Sequence, residues 1–149
     1  DDERIAYHEE HIKAMKDATD NIAYAMDVLT HTKDLDFDMY SGCDDNILPF
    51  IAAGGKGVIS VLSNLYPRET EKFAQAVLHG DMDLARQMAY DFNDVSKYLF
   101  IDVNPIMPKA ALKKMGVCGE MVRRPLIPTT EKNKQLLFDA MERFEKKGY

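Results

Sequence analysis

Three short apolar runs, each followed by a helical stretch, recur through the first half of the chain at intervals of about 20–25 residues, the size of compact strand–helix units. The runs are Ile12–Lys16, Phe37–Tyr40 and Gly57–Val61. The last is the clearest, β-branched and bounded by glycine. A helix between successive strands requires those strands to be parallel, because antiparallel neighbours need only a tight turn. After the first strand, DATDN offers Asp and Thr caps, and Ile22, Met26 and Leu29 follow at helical spacing. After the second, SGCDD is a turn, and NILPFIAA reads as a short helix stopped at Gly54-Gly55. The second half carries no further strand signal. Pro67 opens a helix through Phe73, Val77 and Leu78, closed by Gly80. Leu84, Met88, Phe92, Val95 and Leu99 then mark a strongly amphipathic helix. A shorter helix ends at Gly116, RRPLIP is extended and proline-fixed, and residues 130–146 form a last helix on Leu137, Met141 and Phe144.

The 149 residues suit one domain or a piece of one. With 19 Lys+Arg against 25 Asp+Glu, the net charge of −6 argues against nucleic acid or an anionic membrane surface as partner. No run approaches the roughly 20 apolar residues of a membrane span, and DDERIAYHEEH does not read as a signal peptide. Two widely spaced cysteines beside nine methionines lead us to expect a reducing, cytoplasmic setting. A complete (β/α)₈ barrel takes about 250 residues, so a closed barrel lies beyond this length.

In parallel α/β architectures, chemistry gathers beyond the C-terminal ends of the strands. Here those ends are Lys16, Ser41-Gly42 and Ser60 to Asn64. A lysine buried at a strand end is pushed toward its neutral amine, a nucleophile for carbonyl carbon that forms Schiff bases. The plain alternative is a solvent-exposed surface lysine, and spacing alone leaves both open. Gly54-Gly55-Lys56-Gly57 lacks the phosphate-loop spacing and precedes a strand, so it reads as a tight helix-to-strand turn. His8 and His11 stand three apart rather than four, with no downstream ligand cluster, and read as a solvated helix face. Neither metal nor cofactor is expected.

Taken together, several segments resemble the dihydrodipicolinate synthase family. Ala14-Met15-Lys16-Asp17-Ala18-Thr19 is similar to its G-[IV]-K-[ED]-[AS]-[ST] strand, with Ala14 replacing the glycine. Tyr40-Ser41-Gly42-Cys43-Asp44-Asp45 resembles its Y-S-G-x-D-D turn, and residues 54–64 its G-G-x-G-V-I-S-V-x-[SA]-N segment. Phe100 with Asn104-Pro105-Ile106 and Lys109, and Arg123 with Pro125-Leu126, match later motifs, Met107 standing where the family usually has Pro.

The resemblance implies the C-terminal part of a (β/α)₈ barrel, strands six to eight with their helices, followed by three C-terminal helices. Residues 1–80 would hold the βα units and residues 81–149 the helical extension. It implies a Schiff-base lyase in which Lys16 condenses with pyruvate. Loss of a methyl proton gives an enamine that attacks aspartate semialdehyde, and cyclisation yields hydroxy-tetrahydrodipicolinate on the route to diaminopimelate and lysine. Main-chain groups of Gly42 and Ile59 correspond to positions lining the pyruvate pocket, with Asn64 a neighbour. The family's Thr-Thr pair, proton-relay tyrosines, second-substrate arginine and lysine feedback site belong to the other half of the barrel. The expected partners are therefore an N-terminal half-barrel and further copies in a dimer or tetramer, and the chain by itself is expected to be a poor enzyme. The alternatives are another pyruvate-dependent aldolase of the superfamily (N-acetylneuraminate lyase or 2-keto-3-deoxygluconate aldolase), a non-catalytic half-barrel, or an acidic helical binding module without strands.

Overall fold

A computed structural model describes residues 11–149; residues 1–10, and with them the helix face expected to carry His8, lie outside the described residues. The strands are β1 (Ala14–Asp17), β2 (Asp38–Ser41) and β3 (Gly57–Val58). Between them lie α1 (Ile22–Thr32) and α2 (Ile47–Ala52), the latter entered through a 3₁₀ turn at Asp44–Asn46. A second 3₁₀ turn at Leu62–Asn64 leads to α3 (Pro67–Leu78), α4 (Met82–Leu99), α5 (Ile106–Lys114) and α6 (Glu131–Glu145). The three strands form one sheet in the order β1-β2-β3, and both pairings are parallel. The strands therefore exclude the all-helical binding module.

Local chemistry explains the boundaries. Asn21 caps α1 by accepting from the Tyr24 amide at 3.1 Å, and Asp81 caps α4 through the Leu84 amide at 3.2 Å. Thr130 does the same for α6 through Asn133 at 3.2 Å. Gly80, at φ 77°, ends α3 in the left-handed region that only glycine enters without strain. At the α2–β3 turn Gly54 has φ 120°, while Gly55 is held under Phe50 with its amide on the Phe50 carbonyl at 3.0 Å. This stretch is a turn packed against its own helix, not a phosphate cradle.

The described chain divides into two compact units. The first takes the residues up to Ser60 together with Phe73–Arg86. Its core is Ala25, Val28, Met39 and Phe50, with Met15, Ile22, Tyr24, Leu29 and Phe37 packed around them. The second takes Val61–Lys72 and Gln87–Tyr149. It is organised on Tyr66, Phe92 and Phe144, with ring centroids 4.7 Å apart for Tyr66–Phe144 and 4.3 Å for Phe92–Phe144. The Tyr66 hydroxyl donates to Glu145 at 3.0 Å. On α4 the buried stripe is Ala85, Met88, Phe92, Val95 and Leu99, and each large member contributes about 1.5–3 kcal/mol by leaving water.

Three expectations need correction. The apolar face of α1 is centred differently from Ile22, Met26 and Leu29: Ile22 and Leu29 pack against the core as its half-buried edge, Met26 is 43% exposed, and Ala25, Val28 and Thr32 are the buried residues. The run that reads as the clearest strand is the shortest. Pairing in β3 covers only Gly57–Val58, with one further ladder bond from the Ile59 amide to the Ser41 carbonyl at 2.8 Å. Among the described residues β3 has a neighbour on one side only, and the chain then turns into the 3₁₀ segment. The end of α3 also differs, with Phe73 and Val77 buried but Leu78 44% exposed. No helix among the described residues is long and apolar enough to cross a membrane.

Candidate active site

The parallel register gathers one row of residues across the sheet. Lys16 is paired with Tyr40, and Tyr40 with Gly57. One residue further on, Asp17 meets Ser41, and Ser41 meets Val58. Equivalent positions on parallel neighbours project to the same face, so Lys16 and Tyr40 share a side of the sheet at its C-terminal end.

The loops leaving these ends are braced. Asp17 is buried, and its Oδ1 accepts from the Thr19 amide at 2.8 Å, turning the chain off β1. Asp20 has φ 58° and its carboxylate accepts from Asn46 Nδ2 at 2.7 Å, which ties the loop after β1 to the loop after β2. Ser41, buried, donates through Oγ to the Cys43 carbonyl at 2.9 Å and accepts from the Cys43 amide at 3.2 Å. These two bonds fold the chain tightly around Gly42. The Gly42 amide itself donates to the Asp17 carbonyl at 2.6 Å.

Lys16 is exposed in the described chain. No ion pair or hydrogen bond among the described residues engages its Nζ. Its stem runs past Gly42, where an added Cβ would stand 2.7 Å from Lys16 Cε. Lys16 and Gly42 are thus brought into contact, and Ile59 joins them through the ladder. Ile59 is 50% exposed. Because the amides of Gly42 and Ile59 are both spent on strand-end bonds, the main-chain group each can offer a ligand is its carbonyl. Asn64 belongs to the second unit, where its side chain donates to the Val61 carbonyl at 2.9 Å.

Beside the lysine, burial and then the carboxylate of Asp20 push the Cys43 thiol above its ordinary pKa. No group of three or more His, Cys, Asp or Glu is placed to hold a metal ion among the described residues. Sequence reasoning missed Tyr40 as the register partner of Lys16 and the Asp20–Asn46 brace. Tyr40 was visible once the two strands were aligned by their C-terminal ends. The brace joins residues too far apart in the chain to leave a local pattern.

Parallel strands in successive βα units, with the loops leaving β1 and β2 tied together beyond the strand ends, put this chain in the parallel α/β class. The profile of the Dihydrodipicolinate synthetase family matches residues 3–143, and the chain belongs to that family. It is 39% identical over 130 residues to the 4-hydroxy-tetrahydrodipicolinate synthase of Caldicellulosiruptor bescii, covering 87% of this chain and 43% of that protein. The dihydrodipicolinate synthase of Aquifex aeolicus superposes with a TM-score of 0.90 at 34% identity, over 96% of this chain and 48% of that one. The chloride-inhibited enzyme of Acinetobacter baumannii, solved in complex with pyruvate, superposes with a TM-score of 0.90 at 26% identity, over 96% and 48%. The chain spans about half the length of the curated relatives it matches. Its fold is the C-terminal half of their (β/α)₈ barrel, followed by three helices.

Proposed function

We propose that this chain carries the Schiff-base half of a 4-hydroxy-tetrahydrodipicolinate synthase, with Lys16 as the nucleophile. The observation that carries the reading is Lys16 itself, an amine without an ionic partner among the described residues, set at the C-terminal end of a parallel strand in a member of this family. A relative of similar fold is solved with pyruvate, which supports that keto acid as the first substrate.

The chemistry follows from the amine. Nζ adds to the ketone carbon of pyruvate, and loss of water gives the imine. Protonated, the imine draws electrons from the neighbouring methyl, which loses a proton to give the enamine. The enamine carbon attacks the aldehyde of aspartate semialdehyde. Closure by that substrate's amine onto the imine carbon then expels Lys16 and regenerates it. The carbonyls of Gly42 and Ile59 are suited to accept hydrogen bonds from the imine nitrogen or from water leaving it.

Groups that hold the pyruvate carboxylate and relay protons belong to the other half of the barrel. Pairing with such a half is the partnership this reading implies, as is a homo-oligomer in the cytoplasm. The division into βα units at 1–80 and a helical extension at 81–149 belongs to the same proposal.

Sodium borohydride reduction in the presence of pyruvate tests the reading. A covalent pyruvate adduct should map to Lys16, be absent from Lys16→Ala, and increase when an N-terminal half-barrel from a relative is supplied. No adduct on Lys16, even with that half present, would leave the chain as a non-catalytic half-barrel. Trapping with pyruvate but no turnover of aspartate semialdehyde in the completed barrel would favour another pyruvate-dependent aldolase.

A further inference from the structure

Gly42 is not explained by backbone conformation, since its φ lies outside the left-handed region. Space explains it. A Cβ there would stand 2.7 Å from Lys16 Cε, 2.7 Å from Ala18 Cβ and 3.0 Å from the Asp17 carbonyl oxygen. The glycine cannot retreat, because its amide is pinned to that same carbonyl at 2.6 Å and the Ser41–Cys43 bonds close the turn behind it. The place a side chain would fill is therefore taken by the end of the lysine stem.

We infer that Gly42 is a positioning residue: its missing side chain is the seat of the Lys16 stem, and that seat sets the direction in which Nζ points. The inference deepens the proposed function and rests on it for its catalytic meaning. The three contacts a Cβ would meet are of two kinds. Ala18 Cβ and the Asp17 carbonyl are rigid, so crowding them strains the loop. Lys16 Cε is the far end of a flexible chain and yields easily, so crowding it redirects the amine at little cost in stability. Substituting Ala18 by glycine removes the side-chain part of the rigid contact and leaves the lysine contact in place.

The experiment compares wild type, Ala18→Gly, Gly42→Ala and the double variant Ala18→Gly/Gly42→Ala, each as the full chain. Nuclear Overhauser contacts between the Gly42 Hα and Lys16 Hε protons are measured without any ligand. They should be present in wild type and Ala18→Gly, and the Lys16 Cε and Hε shifts should move in the double variant. Thermal melting should place the double variant closer to Ala18→Gly than Gly42→Ala stands to wild type. Pyruvate trapping on Lys16 should fall roughly tenfold or more from Ala18→Gly to the double variant, as expected for a misdirected nucleophile. Absence of the contact in wild type, or unchanged Lys16 shifts in the double variant, would overturn the inference. So would equal trapping in Ala18→Gly and the double variant where Ala18→Gly traps. If the contact is present, the shifts move and no form traps pyruvate, the seat stands and the pyruvate reading falls.

Discussion

Cys43 lies one residue beyond Gly42, in a turn that also gathers Asp17, Asp20 and Asp44. Burial disfavours its thiolate first, and the negative charge of Asp20 adds to that, so the thiol is held above the ordinary range of about 8.5. The thiolate is the reactive form, so alkylation of Cys43 should have its midpoint above that range. Asp20→Asn should lower the midpoint while keeping an oxygen for Asn46. Peptide-resolved iodoacetamide labelling against pH checks this, and a Cys43 midpoint at or below the ordinary range would contradict it. Gly55 offers a second residue-scale prediction. A Cβ there would stand 2.4 Å from Phe50 Cδ1 and 2.9 Å from the Phe50 carbonyl oxygen, and both belong to a packed turn. Gly55→Ala should therefore cost about 1–3 kcal/mol in urea unfolding, the usual range for overpacking. At this scale the sequence was partly legible. Lys16 and the Ser41-Gly42 turn stood out by residue type and by order along the chain. What Gly42 does for Lys16 was not legible, because that contact joins two strand ends through a side-chain path that no spacing encodes.

Among the elements, α1 shows how a helical period can be right and the centre of its face misplaced. Ile22 and Leu29 recur at helical spacing and pack at the edge of the core, but Ala25, Val28 and Thr32 recur at that spacing too and are buried, Ala25 and Val28 clustering with Met39 of β2. The small residues let the helix lie close to the sheet, whereas Met26, with its greater apolar surface, remains outside. Hydropathy weights the larger side chain, while the packing distance between helix and sheet selects the smaller ones. Val28→Ala should therefore cost about 1–2 kcal/mol, within the range for removing buried methyl groups, and Met26→Ala should stay within about 0.5 kcal/mol of wild type. Urea midpoints with an unchanged slope check the pair; a larger effect at Met26 than at Val28 would reverse the assignment. The helices of the second half were legible almost to their ends, because caps and stop glycines such as Asp81 and Gly80 are local signals. β3 was less so. Its β-branched composition marks a segment able to pair on both sides, but strand length is set by the neighbours present. Among the described residues only β2 lies beside it.

Across the whole molecule, two differently built units make different demands on pH. The first unit is held by a small apolar cluster between helix and sheet. The second closes on Tyr149, whose ring stacks 5.6 Å from Phe144, lies 5.3 Å from Lys72 Nζ, and whose hydroxyl donates to Asp91. Asp91 also accepts from Gln87 at 2.9 Å and pairs with Lys147 at 3.1 Å. Burial would raise the Asp91 carboxyl, but these hydrogen bonds outweigh it and hold the carboxyl below its usual range. Burial, then the hydrogen bond to Asp91, pushes the Tyr149 hydroxyl up to about 12. A phenol raised on folding adds stability that is complete below its unfolded value of about 10 and vanishes as pH climbs through the folded value. The carboxylate has the opposite sign: its contribution is present above its unfolded value of about 3.9 and fades as acid protonates it. Tyr149→Phe keeps the ring stack and removes only the hydroxyl. The melting-temperature difference between wild type and Tyr149→Phe should therefore be constant from neutral pH to about 9, shrink above about 10 and disappear once Tyr149 is ionised in both states. Melting curves across that range, with phenolate absorbance followed on the same samples, measure both quantities. A difference that persists unchanged through the ionisation of Tyr149 would mean that the bond to Asp91 contributes nothing to holding the second unit closed.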